Sequence, residues 1–280
     1  MMFATGVDVM VRWFERPLAW SRILLILVGC HAMSASASGA DLEQRTVDAY
    51  QRYVDEARAA FLRRGDAEEW TPMPSATGPA AACALAPAEA LPTGRIVKAP
   101  GGLIHHWASV AFIPRVDVRH VIDVAQAYDE YPAIYRSVLA SRLIARDGDT
   151  FRVFARLKED AGMVSAVLDV RTVVTYAGDE RCVYSLGAAT EIREVKNAGA
   201  VTERLLPAGH DSGFLWRANT FTRFVEFDGG VPVELETIGL SRRFPPLVGW
   251  LMEPIARRVG RLSVERTLAE FRTAVLAKEL

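Results

Sequence analysis

The stretch that decides the fold is Leu247–Leu280, LVGWLMEPIARRVGRLSVERTLAEFRTAVLAKEL. Its apolar residues recur at helical spacing, but the stripe changes phase partway along. Leu251, Ile255, Val259 and Leu262 share one face. Val264, Leu268, Phe271 and Val275 share another, on nearly the opposite side of a continuous helix. One straight amphipathic helix keeps a single stripe. The spacing therefore predicts two helices with a break near Gly260, glycine being the usual residue at such a break. Ser263 would cap the second helix, with Glu265 in its first turn. Pro254 would start or kink the first. The polar positions carry Arg257, Arg258, Arg261, Arg266 and Arg272. Everything before this stretch reads as sheet that needs a helix over one face.

Upstream the apolar period shortens to two. Leu103 to Ile113 reads as a strand ended by Pro114, and Asp117 caps a short helix carrying Val118, Val121, Ile122 and Ala125. After the turn Tyr128-Asp129-Glu130-Tyr131-Pro132, strands are predicted at about 137–146, 150–158, 164–176, 182–195, 213–227 and 231–241. Asp147-Gly148, Gly178-Asp179 and Asp228-Gly229 supply hairpin turns, so the set reads as an antiparallel meander. Phe151, Val153, Ala155 and Leu157 alternate with Arg152, Phe154, Arg156 and Lys158, which marks one buried and one largely wet face. Further upstream, Val47, Tyr50, Val54, Ala57, Phe61 and Leu62 form the stripe of a helix over Leu42–Arg64. Residues 65–102, rich in Pro, Ala and Gly, read as a surface linker with at most a short strand at Ile96–Lys98.

The last hairpin assigns residues to faces. A two-residue turn at Asp228-Gly229 or Gly229-Gly230 puts Phe214, Trp216 and Phe224 on the same face as Val233 and Leu235. Arg223 shares the other face with Glu234 and Glu236, opposite one or the other depending on register. Two readings of that trio stand: a solvent-side ion pair across strands, or a polar anchor inside a cavity.

This order of strand, short helix, curled antiparallel sheet and C-terminal helix resembles the START-like superfamily, also called SRPBCC, with its helix-grip fold. The resemblance covers about residues 103–277. It is carried by Tyr128-Asp129-Glu130-Tyr131-Pro132, by the Ser263, Leu268 and Phe271 helix, and by Gly213-Phe214-Leu215-Trp216-Arg217 with Asp228-Gly229-Gly230, similar to uncharacterised exported bacterial members. It implies an α+β fold in which a sheet of about seven strands curls over the C-terminal helix. The domains would be a signal peptide over 1–40, a helix over 41–64, the linker over 65–102 and the helix-grip domain over 103–280. It also implies a cavity between sheet and helix, lined here by Phe214, Trp216, Phe224, Val233, Leu235, Val264, Leu268 and Phe271. The family contains lipid carriers, quinone-binding proteins, cyclases and hormone receptors. The function implied is non-catalytic binding or carriage of an apolar small molecule or lipid, with no cofactor. A cyclase or hydrolase using the same cavity is one alternative, and an envelope protein that docks a partner through its N-terminal helix is another.

Composition narrows the field. With 33 basic and 34 acidic residues the chain has no global pull toward nucleic acid. Arg12, Arg16 and Arg22 precede an apolar run, Ile23 to Val28, and small residues ending at Ala40, which is the layout of a secretory signal. Cleavage after Ala40 would free a soluble protein; Leu27-Val28-Gly29-Cys30 instead resembles a lipobox that would lipidate Cys30, giving the only membrane contact expected. Export would permit a bridge between Cys83 and Cys182, which equally read as two isolated small hydrophobes. The run Gly209-His210-Asp211-Ser212-Gly213 contains triad residue types, but consecutive residues cannot align as nucleophile, base and orienter. His105 and His106 adjoin on a strand and point to opposite faces, so they cannot grip one metal, and no metal site is expected. Asp129 and Glu130 sit where a turn ordinarily carries acidic residues.

Overall fold

The computed structural model describes residues 40–66, 94–161, 164–208, 210–243 and 249–278, which belong to one unit beginning at Ala40. The export signal with Cys30, most of the linker, Cys83 and Gly209 lie outside the described residues.

After a two-residue strand β1 (Ala40–Asp41) comes helix α1 (Gln44–Asp66). Strand β2 (Arg95–Ala99) turns through Pro100 and Gly101 into β3 (Gly102–Pro114). The linker reading allowed at most a short strand at Ile96–Lys98 within this segment. The strand is present, one residue longer at each end, and it is the edge of the main sheet, because Gly101 takes φ 71° and closes a tight hairpin. Asp117 caps α2 (Val118–Gln126) as expected, its carboxylate accepting the His120 backbone N–H at 2.8 Å. A 3-10 turn at Tyr128–Glu130 leads into the single-turn α3 (Tyr131–Ile134).

Four long strands follow: β4 (Val138–Asp147), β5 (Thr150–Ala161), β6 (Val164–Gly178) and β7 (Cys182–Lys196). Two short strands, β8 (Arg204–Leu205) and β9 (His210–Asp211), occupy the next connection, and β9 pairs with β1. Strands β10 (Arg217–Val225) and β11 (Gly230–Arg242) form the last hairpin. Its register opposes Arg223 to Glu234, which fixes Asp228-Gly229 as the turn, with Gly229 at φ 83°. The sheet order is β2-β3-β11-β10-β7-β6-β5-β4, eight antiparallel strands, with β8 attached beside β7. The first long strand thus closes against the last.

Helices cover both faces. In β11 the odd positions Val231, Val233 and Leu235 join the core beneath the C-terminal helix, while Ile238 and Leu240 join the one beneath α1. A strand buried on both sides is the reason this stretch is apolar at most positions.

The C-terminal helix corrects the expected break. It is one helix, α4 (Gly249–Ala277), with Pro254 inside it. Ser263 is interior, its carbonyl accepting the Thr267 hydroxyl at 2.9 Å. Gly260 serves close approach: a methyl group there would overlap the Trp107 indole. The change of phase marks a change of environment instead. Val264, Leu268, Phe271 and Val275 are buried against the sheet, whereas Ile255 and Leu262 face solvent.

Candidate functional site

The compartment between sheet and α4 is built from alternate strand positions and one helix stripe. Phe224, Val233, Leu235, Val264, Leu268 and Phe271 meet there, with exposures of 7% or less. Phe224 and Phe271 rings lie 6.4 Å apart across it. These side chains close on one another. Two outer grooves, of about 490 and 470 Å³, run beside α2 and along α1, and neither includes a residue of α4.

Two expected lining residues sit elsewhere. Trp216 precedes the first paired residue of β10, so the strand's alternation does not reach it. It packs on the α1 side with Tyr50, Val54, Phe221 and Ile238, its indole N–H bonded to Asp211 at 3.0 Å. Phe214 packs with Leu168, Val170 and Ile192 in a separate cluster.

The sequence reading missed a group of tyrosines at this compartment. Tyr128 and Tyr176 are buried in the same core, their hydroxyls 3.1 Å apart, and both rings flank Phe151. The Tyr131 hydroxyl donates to the Ala125 carbonyl at 2.6 Å. Burial pushes the Tyr176 phenol up to about 12, and burial together with Tyr176 pushes Tyr128 further still. Both stay neutral near pH 7 and can only donate and accept hydrogen bonds. Position offered a signal: Tyr176 is in phase with Val174 along β6, and Val174 stands opposite Phe151.

Arg223, Glu234 and Glu236 do come together, but neither at the solvent nor in the compartment. They lie on the opposite face of the sheet, beneath α1, and all three are buried. The Arg223 Nε is 3.7 Å from Glu234 Oε2. Arg64, reaching in from α1, donates to Glu234 at 2.9 Å and also to Glu236. Glu236 pairs with His106 Nε2 at 2.5 Å, and His106 Nδ1 meets the Tyr53 hydroxyl at 2.9 Å. Arg223 donates to the Phe61 carbonyl and lies 4.4 Å over the Phe61 ring. Burial raises the Glu236 carboxyl, but the bond from His106 and the charge of Arg64 outweigh it and hold the pKa below the usual range. For Glu234 burial wins over Arg223 and Arg64, and its pKa is raised. The signal for Arg64 was available: it stands three residues after Phe61 and prolongs the buried stripe of α1, where the sequence reading saw only a helix end.

The remaining candidates are structural. Asp211 accepts from the Gly213 N–H at 2.7 Å as well as from Trp216, and the Ser212 hydroxyl donates to Glu194 at 2.5 Å. His105 bonds Ser241 at 2.7 Å while His106 lies within the buried cluster. The Asp129 carboxylate accepts the Leu143 N–H at 3.2 Å, and Glu130 pairs with Lys278 at 2.5 Å. Among the described residues no group of three His, Cys, Asp or Glu could hold a metal ion. Cys182 is disulfide-bonded, and its partner lies outside the described residues.

No family model and no curated protein matches the sequence. Among solved structures, the chain is similar to a START superfamily protein from Mycobacterium smegmatis, at 10% identity and TM-score 0.42 over 61% of this chain and 97% of that one. A fragment of a STAR-related lipid transfer protein from Xanthomonas axonopodis matches at 16% identity and TM-score 0.42, over 65% of this chain and 98% of that one. A Streptomyces aromatase/cyclase matches at 14% identity and TM-score 0.39, over 62% of this chain and 93% of that one. These are likenesses of arrangement. The element order and strand register of the chain itself carry the conclusion that it adopts the helix-grip architecture the START-like resemblance implies.

Proposed function

We propose that the protein binds an apolar small molecule or lipid, without catalysis, in the compartment between the sheet and α4. The observation that supports this reading is the pair of tyrosine hydroxyls, Tyr128 and Tyr176, held inside an otherwise apolar core. Ligand sites are commonly apolar with a few convergent polar groups. Entry of a ligand there requires the packed Phe224, Leu268 and Phe271 side chains to move apart. Burying about 400 Å² of ligand surface at about 25 cal/mol per Å² would yield about 10 kcal/mol gross. Association and ordering take back about 4 kcal/mol or more, which leaves micromolar binding within reach.

The enzyme alternative would need a group that titrates near pH 7 inside that compartment, whereas burial keeps the Tyr128 and Tyr176 phenols protonated there. The His106–Glu236 pair has the right proximity, but it lies on the opposite face beneath α1. Docking a partner through the N-terminal helix would need a free apolar stripe, yet Tyr50, Val54, Ala57 and Phe61 are spent on the chain's own sheet. The proposal also places the mature chain outside the cytoplasm, with cleavage after Ala40 or lipidation at Cys30; the basic, apolar and small-residue order of residues 12–40 supports it, as does the disulfide at Cys182.

Native mass spectrometry of protein purified from its own host tests the ligand. A lipid-mass adduct is expected, and adding the released compound to stripped protein should raise the unfolding midpoint. No adduct, together with no stabilisation by fatty acid, phospholipid or isoprenoid, would sink the reading. Cell fractionation tests export, and a full-length cytoplasmic product would count against it.

A further inference from the structure

One groove lies on the face of the sheet opposite the compartment, against the flank of α1. Across β10, β7 and β6 the register aligns Asn219, Ala188 and Val173. Cross-strand partners share a face, and the small Ala188 leaves a depression between the helix and the sheet. The groove holds about 470 Å³, within the range of small-molecule sites. Val54, Phe221, Leu186 and Val173 supply its apolar walls. Its polar side chains are mainly donors. Arg58 is exposed, and the Arg217 guanidinium donates to the Trp216 carbonyl at 2.8 Å; neither pairs with a carboxylate among the described residues. The Tyr50 hydroxyl lies 2.9 Å from Asn219 Oδ1, and the Asn219 amide nitrogen makes one long contact, 3.4 Å, to the Gly187 carbonyl. Asp55, the carboxylate that lines the groove, already accepts from the Gln51 side chain at 3.0 Å.

We propose that this groove binds a small organic carboxylate with an apolar body. Charge and wall chemistry together decide the occupant. An ionised carboxylate only accepts hydrogen bonds, and two guanidinium groups beside an amide donor answer it. The apolar walls take the rest of the molecule out of water. A neutral apolar compound would leave the donors unanswered, and a ligand polar throughout would leave the walls unused. A second copy of the same surface would set Arg58 and Arg217 against their own counterparts. The inference goes beyond the ligand reading: the site lies beside α1 instead of α4, and no side chain of the compartment has to move.

The test is methyl NMR of the full chain titrated with naphthoate and, as its uncharged counterpart, naphthalenemethanol. Naphthoate should shift the Val54, Val173 and Leu186 methyl resonances and leave those of Val233 and Leu268 in place. Naphthalenemethanol should bind about tenfold more weakly, the scale of one charge-assisted hydrogen bond. Arg58→Ala and Arg217→Ala should each weaken naphthoate about tenfold and leave naphthalenemethanol unchanged, which also shows that the groove is still folded. Ala188→Trp, at an exposed position on the groove floor, should block both compounds. No shift at the groove methyls overturns the proposal, as does equal binding of the two compounds. A dimer in sedimentation that Ala188→Trp dissociates also overturns it, since the groove would then belong to a second copy. Shifts confined to Val233 and Leu268 would sink it while supporting a ligand in the compartment, so the two proposals fail separately.

Discussion

Glu234 and Glu236 stand two residues apart on one strand and have pKa values moved in opposite directions, and the reason is who faces them. Glu236 has both His106 and Arg64 as hydrogen-bond partners, whereas Glu234 has Arg64 at 2.9 Å and Arg223 only at 3.7 Å. Arg64 is thus the shared partner, and Arg64→Ala would leave two buried carboxylates short of charge. Loss of about 3 kcal/mol of stability is expected in urea unfolding; a loss under about 1 kcal/mol would mean that water or another cation replaces it. Arg64→Met should cost less if Glu234 takes up a proton, and its stability should then improve as the pH is lowered. His105 gives a cleaner pH signature. Burial lowers its pKa from 6.5 to about 4. The unfolded chain therefore binds the proton first, so this residue's contribution is complete above pH 6.5 and is lost as the pH falls toward 4. The shift corresponds to at most about 3 kcal/mol. His105→Gln, which can still bond Ser241, should flatten the stability profile between those two values; an unchanged slope would assign the acid sensitivity to other groups.

At the scale of elements, strands were legible and the long helix was not, for one physical reason. A strand in this sheet alternates between the same two faces along its length, so β5, β6, β7 and β11 fall within a few residues of the expected limits, and Asp117 caps α2 as its side chain predicts. Helix α4 changes neighbours partway: its second half meets the sheet and its first half meets solvent. A rule that assumes one stripe for each helix must then infer a break. Gly260 misled in the same way, since its purpose is contact across the fold. Trp107 is held between Gly260 and Gly94, and a Cβ at either would overlap its indole. Gly260→Ala should therefore destabilise by about 1–3 kcal/mol through overpacking, against the gain of about 0.5–1 kcal/mol expected in an open helix. Pairing it with Trp107→Leu tests the cause. In a double-mutant cycle the alanine should cost much less in the smaller background. An equal cost in both backgrounds would return the glycine to a conformational role.

At the scale of the molecule, the boundary at Leu103 is where sequence reasoning stopped short. The resemblance covers residues 103–277, and α1 with β2 looked like an addition to it. In the structure they complete the fold. Helix α1 buries Tyr50, Val54 and Phe61 against Ile104, Phe221, Ile238 and Leu240, and it supplies Arg64 and Tyr53 to the charges of the sheet. The sequence held a hint, for β11 carries Glu234 and Glu236 within a run too apolar for a wet face, but nothing in it says which helix lies above. A chain beginning at Leu103 would expose that whole core, each large side chain representing about 1.5–3 kcal/mol. It would also strip Arg64, Tyr53 and the Phe61 carbonyl from the cluster of Arg223, Glu234, Glu236 and His106. Such losses match or exceed the net stability of an ordinary domain. The 103–280 fragment should therefore show no cooperative melt by near-ultraviolet circular dichroism, while a chain beginning at Ala40 melts like the full protein. Both need reductant present, so that the disulfide of Cys182 contributes to neither. A 103–280 fragment that melts cooperatively, within about 2 kcal/mol of the longer chain, would show the sheet and α4 to be self-sufficient and α1 an accessory.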